Sequence, residues 1–145
     1  MAAAFKSASS DADSWQAAVE ACLAQLDGGA AGRNFGFLYL SDHHAQHATE
    51  IRSQLAAATG VTDWVGTVGM GILADRREFF DEPAMALMLG DMPTDSYSMF
   101  QGHAAGQDKW FGLVHADGVA EDLGERLSDL SRLTGAFLVG GITAS

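Results

Sequence analysis

Phe35-Gly36-Phe37-Leu38-Tyr39-Leu40 is a run of aromatic and aliphatic residues broken by a single glycine, and Ser41-Asp42 follow it directly. The run is too short for a helix and too evenly apolar for a strand wetted on one face. It reads as a strand covered on both sides. Ser41 and Asp42 bring side-chain oxygens that can cap a following helix. That helix sets His44, Ala48, Ile51, Leu55 and Ala58 along one face and closes at Gly60. Short apolar runs in turn with long amphipathic stretches define an α/β chain.

The pattern extends both ways. Residues 4–9 read as a first short strand. Trp15, Ala18, Val19, Cys22, Leu23 and Leu26 form a helical stripe, with Asp11, Asp13 and Ser14 as N-cap oxygens and Gly28-Gly29 as a left-handed stop. Residues 64–69 are a third strand. Residues 70–82, with the charged cluster Asp75-Arg76-Arg77-Glu78, are an excursion or hairpin, and residues 84–89 a further apolar run. Residues 90–109, holding Pro93 and His103, form a long connection. Residues 110–116 and 136–142 are strands, and Val119, Leu123, Leu127 and Leu130 mark the face of the helix between them. This is a βαβ unit with parallel strands. The expected architecture is one mainly parallel open sheet flanked by about three helices, with a hairpin-like excursion in the middle. No internal repeat stands out.

Composition sets the functional bounds. The chain has 145 residues, room for one domain, and 48% of them are apolar. Its formal charge of −11 repels a phosphate backbone or an anionic bilayer, so nucleic acid and membrane are excluded as expected partners. The one cysteine, Cys22, can form neither an intrachain disulfide nor a CxxC zinc site. No stretch approaches the ~18 apolar residues of a membrane span, and the start lacks a signal-peptide pattern. The expected location is the cytoplasm. Six arginines against two lysines, with abundant alanine, point to a GC-rich bacterial genome.

In open parallel sheets, ligands sit beyond the carboxyl ends of the strands, next to helix N-termini. Four such places can be named: Ser41-Asp42-His43-His44, Gly69-Met70-Gly71, His115-Ala116-Asp117-Gly118, and Gly140-Gly141. Glycines admit close approach to the backbone, and a carboxylate beside a helix N-terminus can hold both ends of a zwitterion. The same residues also have plain structural uses, as turns and caps. No metal is expected; the nearest thing to a ligand pair is His43 and His47, at i and i+4. Catalytic residues are not expected either. GxSxG, SxxK and GxxxxGK[ST] are all missing, and Cys22 lies on an apolar helix face.

Several segments, in order, carry a resemblance: 5–10, Phe37-Leu38-Tyr39-Leu40-Ser41-Asp42-His43-His44, Val65-Gly66-Thr67-Val68-Gly69-Met70-Gly71-Ile72, Glu78 with Asp81-Glu82-Pro83-Ala84, His115-Ala116-Asp117, and Phe137-Leu138-Val139-Gly140-Gly141. Together they resemble the N-terminal module of the FIST family, intracellular sensory domains proposed to bind small ligands. The resemblance implies a non-enzymatic module that senses an amino acid or related metabolite and signals to a protein such as a histidine kinase or cyclase. No cofactor is implied as the main reading. Haem, held by a histidine of the His43, His44 and His47 cluster, is the alternative drawn from gas-sensing relatives, and a protein-interaction domain is another. Relatives commonly carry Gly-Cys-Ser or Gly-Cys-Thr where this chain reads Gly66-Thr67-Val68, so no thiol role is implied there. They also continue past the double glycine. Residues 1–145 are therefore expected to be one N-terminal-type domain, incomplete at its C-terminus and inclined to self-associate.

Overall fold

Residues 5–101 and 110–143 are described in the computed structural model. The expectations for Ala4 and for the connection through His103 to Lys109 lie outside them. The chain divides into two compact units, Met1–Pro93 and Thr94–Ser145.

The first unit begins with β1 (Phe5–Ser10) and α1 (Trp15–Leu26). Ser14 caps α1, its hydroxyl accepting the N–H of Ala17 at 3.2 Å, and Asp27 ends it in the left-handed conformation. Next come β2 (Phe35–Ser41), a 3-10 turn (Asp42–His47), α2 (Ala48–Thr59) closed by left-handed Gly60, and β3 (Asp63–Gly69). A hairpin of β4 (Gly71–Ala74) and β5 (Arg77–Phe80) leads into β6 (Met85–Gly90).

The four-stranded sheet runs β1-β6-β2-β3. Strands β2 and β3 are parallel, whereas β6 is antiparallel to both its neighbours, β1 and β2. The sheet is thus mixed, and the expectation of a mainly parallel sheet is corrected. The reason is the hairpin. No helix returns the chain to the far end of the sheet after β3, so β6 starts at the end where β3 stopped and runs back.

Alternation along the strands separates two apolar clusters. Leu38, Leu40, Met85, Leu87 and Leu89 pack with Ala18, Val19, Cys22 and Leu26 of α1 and Ile51 and Leu55 of α2. In the other cluster Ala84, Ala86 and Tyr39 meet Ile72 and Phe79 of the hairpin. The evenly apolar β2 is therefore covered on both faces, by helices on one and by the hairpin on the other.

The second unit holds β7 (Phe111–Asp117), α3 (Leu123–Thr134) and β8 (Phe137–Thr143). Strands β7 and β8 pair in parallel as a βαβ unit. The helix begins four residues later than its apolar pattern from Val119 suggests, because Asp117 first folds the chain back: its Oδ1 accepts the Val119 N–H at 3.0 Å. Val119 is left exposed.

Candidate functional site

The end of β2 is organised by Ser41. Its hydroxyl accepts the backbone N–H of Ala84 at 2.8 Å, and its own N–H donates to the Ala84 carbonyl at 2.9 Å. Ser41 thus ties β2 to the chain entering β6 and makes no side-chain cap bond to the turn that follows.

That turn carries Asp42, His43, His44 and His47. Winding at about three residues per turn aligns His44 with His47 and sets His43 aside, so the shared i, i+4 face expected for His43 and His47 does not form. His43 Nδ1 lies 3.1 Å from the exposed Asp42 carboxylate. His47 stacks on Trp15, with ring centroids 5.5 Å apart. His44 points inward and is only 2% exposed. Its Nε2 has no hydrogen-bond partner among the described residues. Burial pushes the His44 pKa below the ordinary histidine value; a bond to the Ala12 backbone works against this, and the neighbouring His43 and His47 add to the lowering.

Gly69 ends β3 directly opposite Ser41 in the parallel register. Met70 follows, largely exposed, and Gly71 opens β4. A Cβ on Gly69 would stand 3.1 Å from the Gly71 carbonyl oxygen, so the glycine serves the tight passage from sheet to hairpin. The structure therefore brings Ser41, Asp42, His43 and His44 together with Gly69, Met70 and Gly71 at one end of one sheet.

The remaining candidates belong to the second unit. Asp117 ends β7, and one of its carboxylate oxygens is engaged by Val119. Gly140 and Gly141 lie inside β8, opposite Val114 and His115, rather than at its end. Gly140 is required by backbone: φ is 154°, and a Cβ there would fall 1.7 Å from the Val114 carbonyl oxygen. With Leu127 and Ser131 of α3, the two glycines line an open groove of about 1000 Å³.

Sequence reasoning missed one polar cluster on the first unit. Asp75, at the tip of the hairpin, accepts from the hydroxyls of Ser7 at 3.2 Å and Ser9 at 2.8 Å. Arg77 pairs with Asp11 at 2.6 Å and with Glu82 at 3.3 Å. The Asp11 carboxyl, expected to cap α1, is instead held below the usual carboxylate range by its hydrogen bond to Arg77. The charged Asp75-Arg76-Arg77-Glu78 cluster was the available signal, but apart from Glu82 the partners of Asp75 and Arg77 lie more than sixty residues away, in β1 and the loop after it. Among the described residues no three His, Cys, Asp or Glu side chains gather as a metal site. Burial pushes the Cys22 thiol up to about 12, well away from nucleophilic use. No described helix is long and apolar enough to cross a membrane.

These features define a mixed α/β protein with a glycine-lined strand end beside a histidine-rich turn. The FIST N domain family model matches residues 34–145, and the chain belongs to the FIST family, whose domains are generally sensory modules of signal transduction. No curated protein and no solved structure matches it.

Proposed function

We propose that the protein is a non-enzymatic cytoplasmic sensor that binds a small polar ligand, an amino acid or related metabolite, and passes its occupancy to a signalling protein such as a histidine kinase or cyclase. Family membership supports the sensory role. The observation that carries the ligand reading is the meeting of Ser41-Asp42-His43-His44 with Gly69-Met70-Gly71 at one sheet end. Asp42 offers a carboxylate to an ammonium group, the glycines let a ligand approach the backbone, and His44 of the same turn holds a buried imidazole nitrogen with no partner among the described residues.

Titration of the purified chain with a panel of amino acids, followed by calorimetry and thermal melting, tests the reading. A saturable heat and a raised melting temperature, both weakened by Asp42→Asn, are expected. Absence of binding across the panel, with no small molecule retained in native mass spectra, overturns it. A Soret band that appears on haem titration and is lost on replacing His43, His44 and His47 replaces it with a haem-based sensor.

A further inference from the structure

The turn that carries Asp42 and His43 has little to hold it by itself. Asp42–His47 runs six residues as a 3-10 helix, beyond the three or four that such a turn usually sustains. Ser41 gives it no side-chain cap, and His47 gives none to α2. Neither apolar cluster of the first unit draws a residue from it.

Two histidines fasten the turn from the side. His47 stacks on Trp15, the first residue of α1. His44 is 2% exposed and bonds to the backbone of Ala12, in the loop that leads into α1. Both fastenings therefore join the turn to the same short stretch, residues 12–15. The base of the turn is fixed separately, by the clasp of Ser41 on Ala84, so the turn can part from residues 12–15 without disturbing the sheet.

The His44 fastening depends on its charge. A neutral imidazole has one N–H and one bare nitrogen, whereas a protonated one has two N–H donors. With the other ring nitrogen given to Ala12, the bare atom is Nε2, buried without a partner among the described residues. Protonation puts a donor and a positive charge on that buried atom. Carboxylates do not compensate. Strand β2 carries none, β3 has only Asp63 at its opposite end, and α1 and α2 bring Glu20, Glu50 and Arg52, all exposed. The loop before α1 brings exposed Asp13 and exposed Asp11, the latter held with Glu82 by Arg77. In the turn itself Asp42 lies against His43. The charges that act on the His44 ring are those of His43 and His47, both of its own sign.

We infer that His44 is a pH-operated latch on this turn. Neutral, it closes Asp42–His47 onto residues 12–15; on taking up a proton it leaves its buried place and releases the turn, while the sheet and α1 stay folded. The released ring titrates at the ordinary histidine value of about 6.5, and the closed ring, held down by burial, titrates below it. The latch is therefore shut above about pH 6.5 and opens as pH falls through the closed-state value. Asp42 and His43 leave with the turn, so acid takes the candidate site apart. The inference stands on the contacts of the turn and not on the small-ligand reading.

Nuclear magnetic resonance of the isotope-labelled full chain, from about pH 7.5 down to about pH 5, brackets the histidine range and tests the latch. As the His44 ring signals report proton uptake, the amide signals of residues 42–47 and 12–15 move along the same curve toward unstructured positions. Those of β2 and β6 keep their folded positions. His44→Gln, which takes up no proton, removes the response, and His43→Asn, which changes only an exposed neighbour, keeps it. The inference is overturned if His44 stays unprotonated across the range, or if its protonation leaves residues 42–47 in place. It is overturned equally if β2 unfolds at the same midpoint, or if His44→Gln shows the wild-type response. The wild-type curves decide alone should His44→Gln fail to fold.

Discussion

Ser41 and Ala84 exchange two hydrogen bonds, backbone N–H to carbonyl at 2.9 Å and backbone N–H to hydroxyl at 2.8 Å, at the point where the chain re-enters the sheet. Ala84 is fully buried, so its N–H has no water to fall back on. Ser41→Ala leaves that donor unsatisfied and lowers unfolding free energy by about 1–3 kcal/mol. Urea titration measures this, and Ser41→Thr, which keeps the hydroxyl, retains more of the stability. Wild-type stability in Ser41→Ala would remove Ser41 from the framework and leave it as a ligand group alone.

Two glycines separate lack of space from backbone conformation. At Gly60 a Cβ meets nothing within 4 Å, but φ is 75°. Gly60→Ala therefore costs about 1–2 kcal/mol, the left-handed penalty of an L-residue. At Gly66 the obstacle is the Leu38 carbonyl oxygen 1.7 Å away, which only separation of β2 from β3 can relieve. Gly66→Ala is expected to be much the more damaging, with loss of soluble folded protein or a large fall in melting temperature. Equal melting temperatures for the two variants contradict the close approach of the strands.

Much of this fold can be read from residues, and its failures have physical causes. The strand at Phe35, the helix stripes through Val19 and Ile51, the central hairpin and the final βαβ unit follow from period and punctuation. The direction of β6 does not follow from its own apolar run; it follows from the lack of a helix between Gly69 and Ala84. The likeness of the two parallel βαβ units, β2-α2-β3 and β7-α3-β8, escaped notice because it is kept by element lengths, register and a Thr-Gly helix end, while side chains diverge: Ile51 is buried in α2, and the equivalent Arg126 of α3 is exposed. Ser41-Asp42-His43-His44 could be placed at a strand end from sequence. That the Ser41 hydroxyl is spent on Ala84 could not, since the two are 43 residues apart.

His44 gives stability a pH dependence of definite sign. Burial lowers its folded pKa below the unfolded histidine value of about 6.5. Below that pH the unfolded chain takes up a proton that the folded chain refuses, so stability is full above about pH 6.5 and falls as pH drops toward the folded pKa. His115, also lowered by burial, adds to the same slope. Asp11 and Asp122, held low by Arg77 and Arg126, lose their contribution only in the carboxylate range below about pH 4. Chemical denaturation between about pH 5 and 7 thus reads mainly the histidines. His44→Phe flattens the slope in that window without abolishing it. An unchanged slope would place the proton uptake elsewhere.

The hairpin is held by one aromatic ring more than by its charges. Phe79 is 3% exposed and packs with Ile72, Ala84 and Ala86, while Arg77 lies 4.3 Å over its ring and reaches Asp11 and Glu82. The Arg77 and Asp11 side chains are about half exposed, where water and salt weaken their attraction. Phe79→Ala is expected to cost about 3–5 kcal/mol, as for other buried aromatic truncations. Arg77→Ala costs less, and its loss shrinks at high salt because the ion pairs are screened; the Phe79→Ala loss does not shrink. Measuring both variants by urea unfolding at low and high sodium chloride separates the two contributions. If Arg77→Ala proves the larger loss at high salt, the hairpin is held by its polar contacts rather than by burial of Phe79.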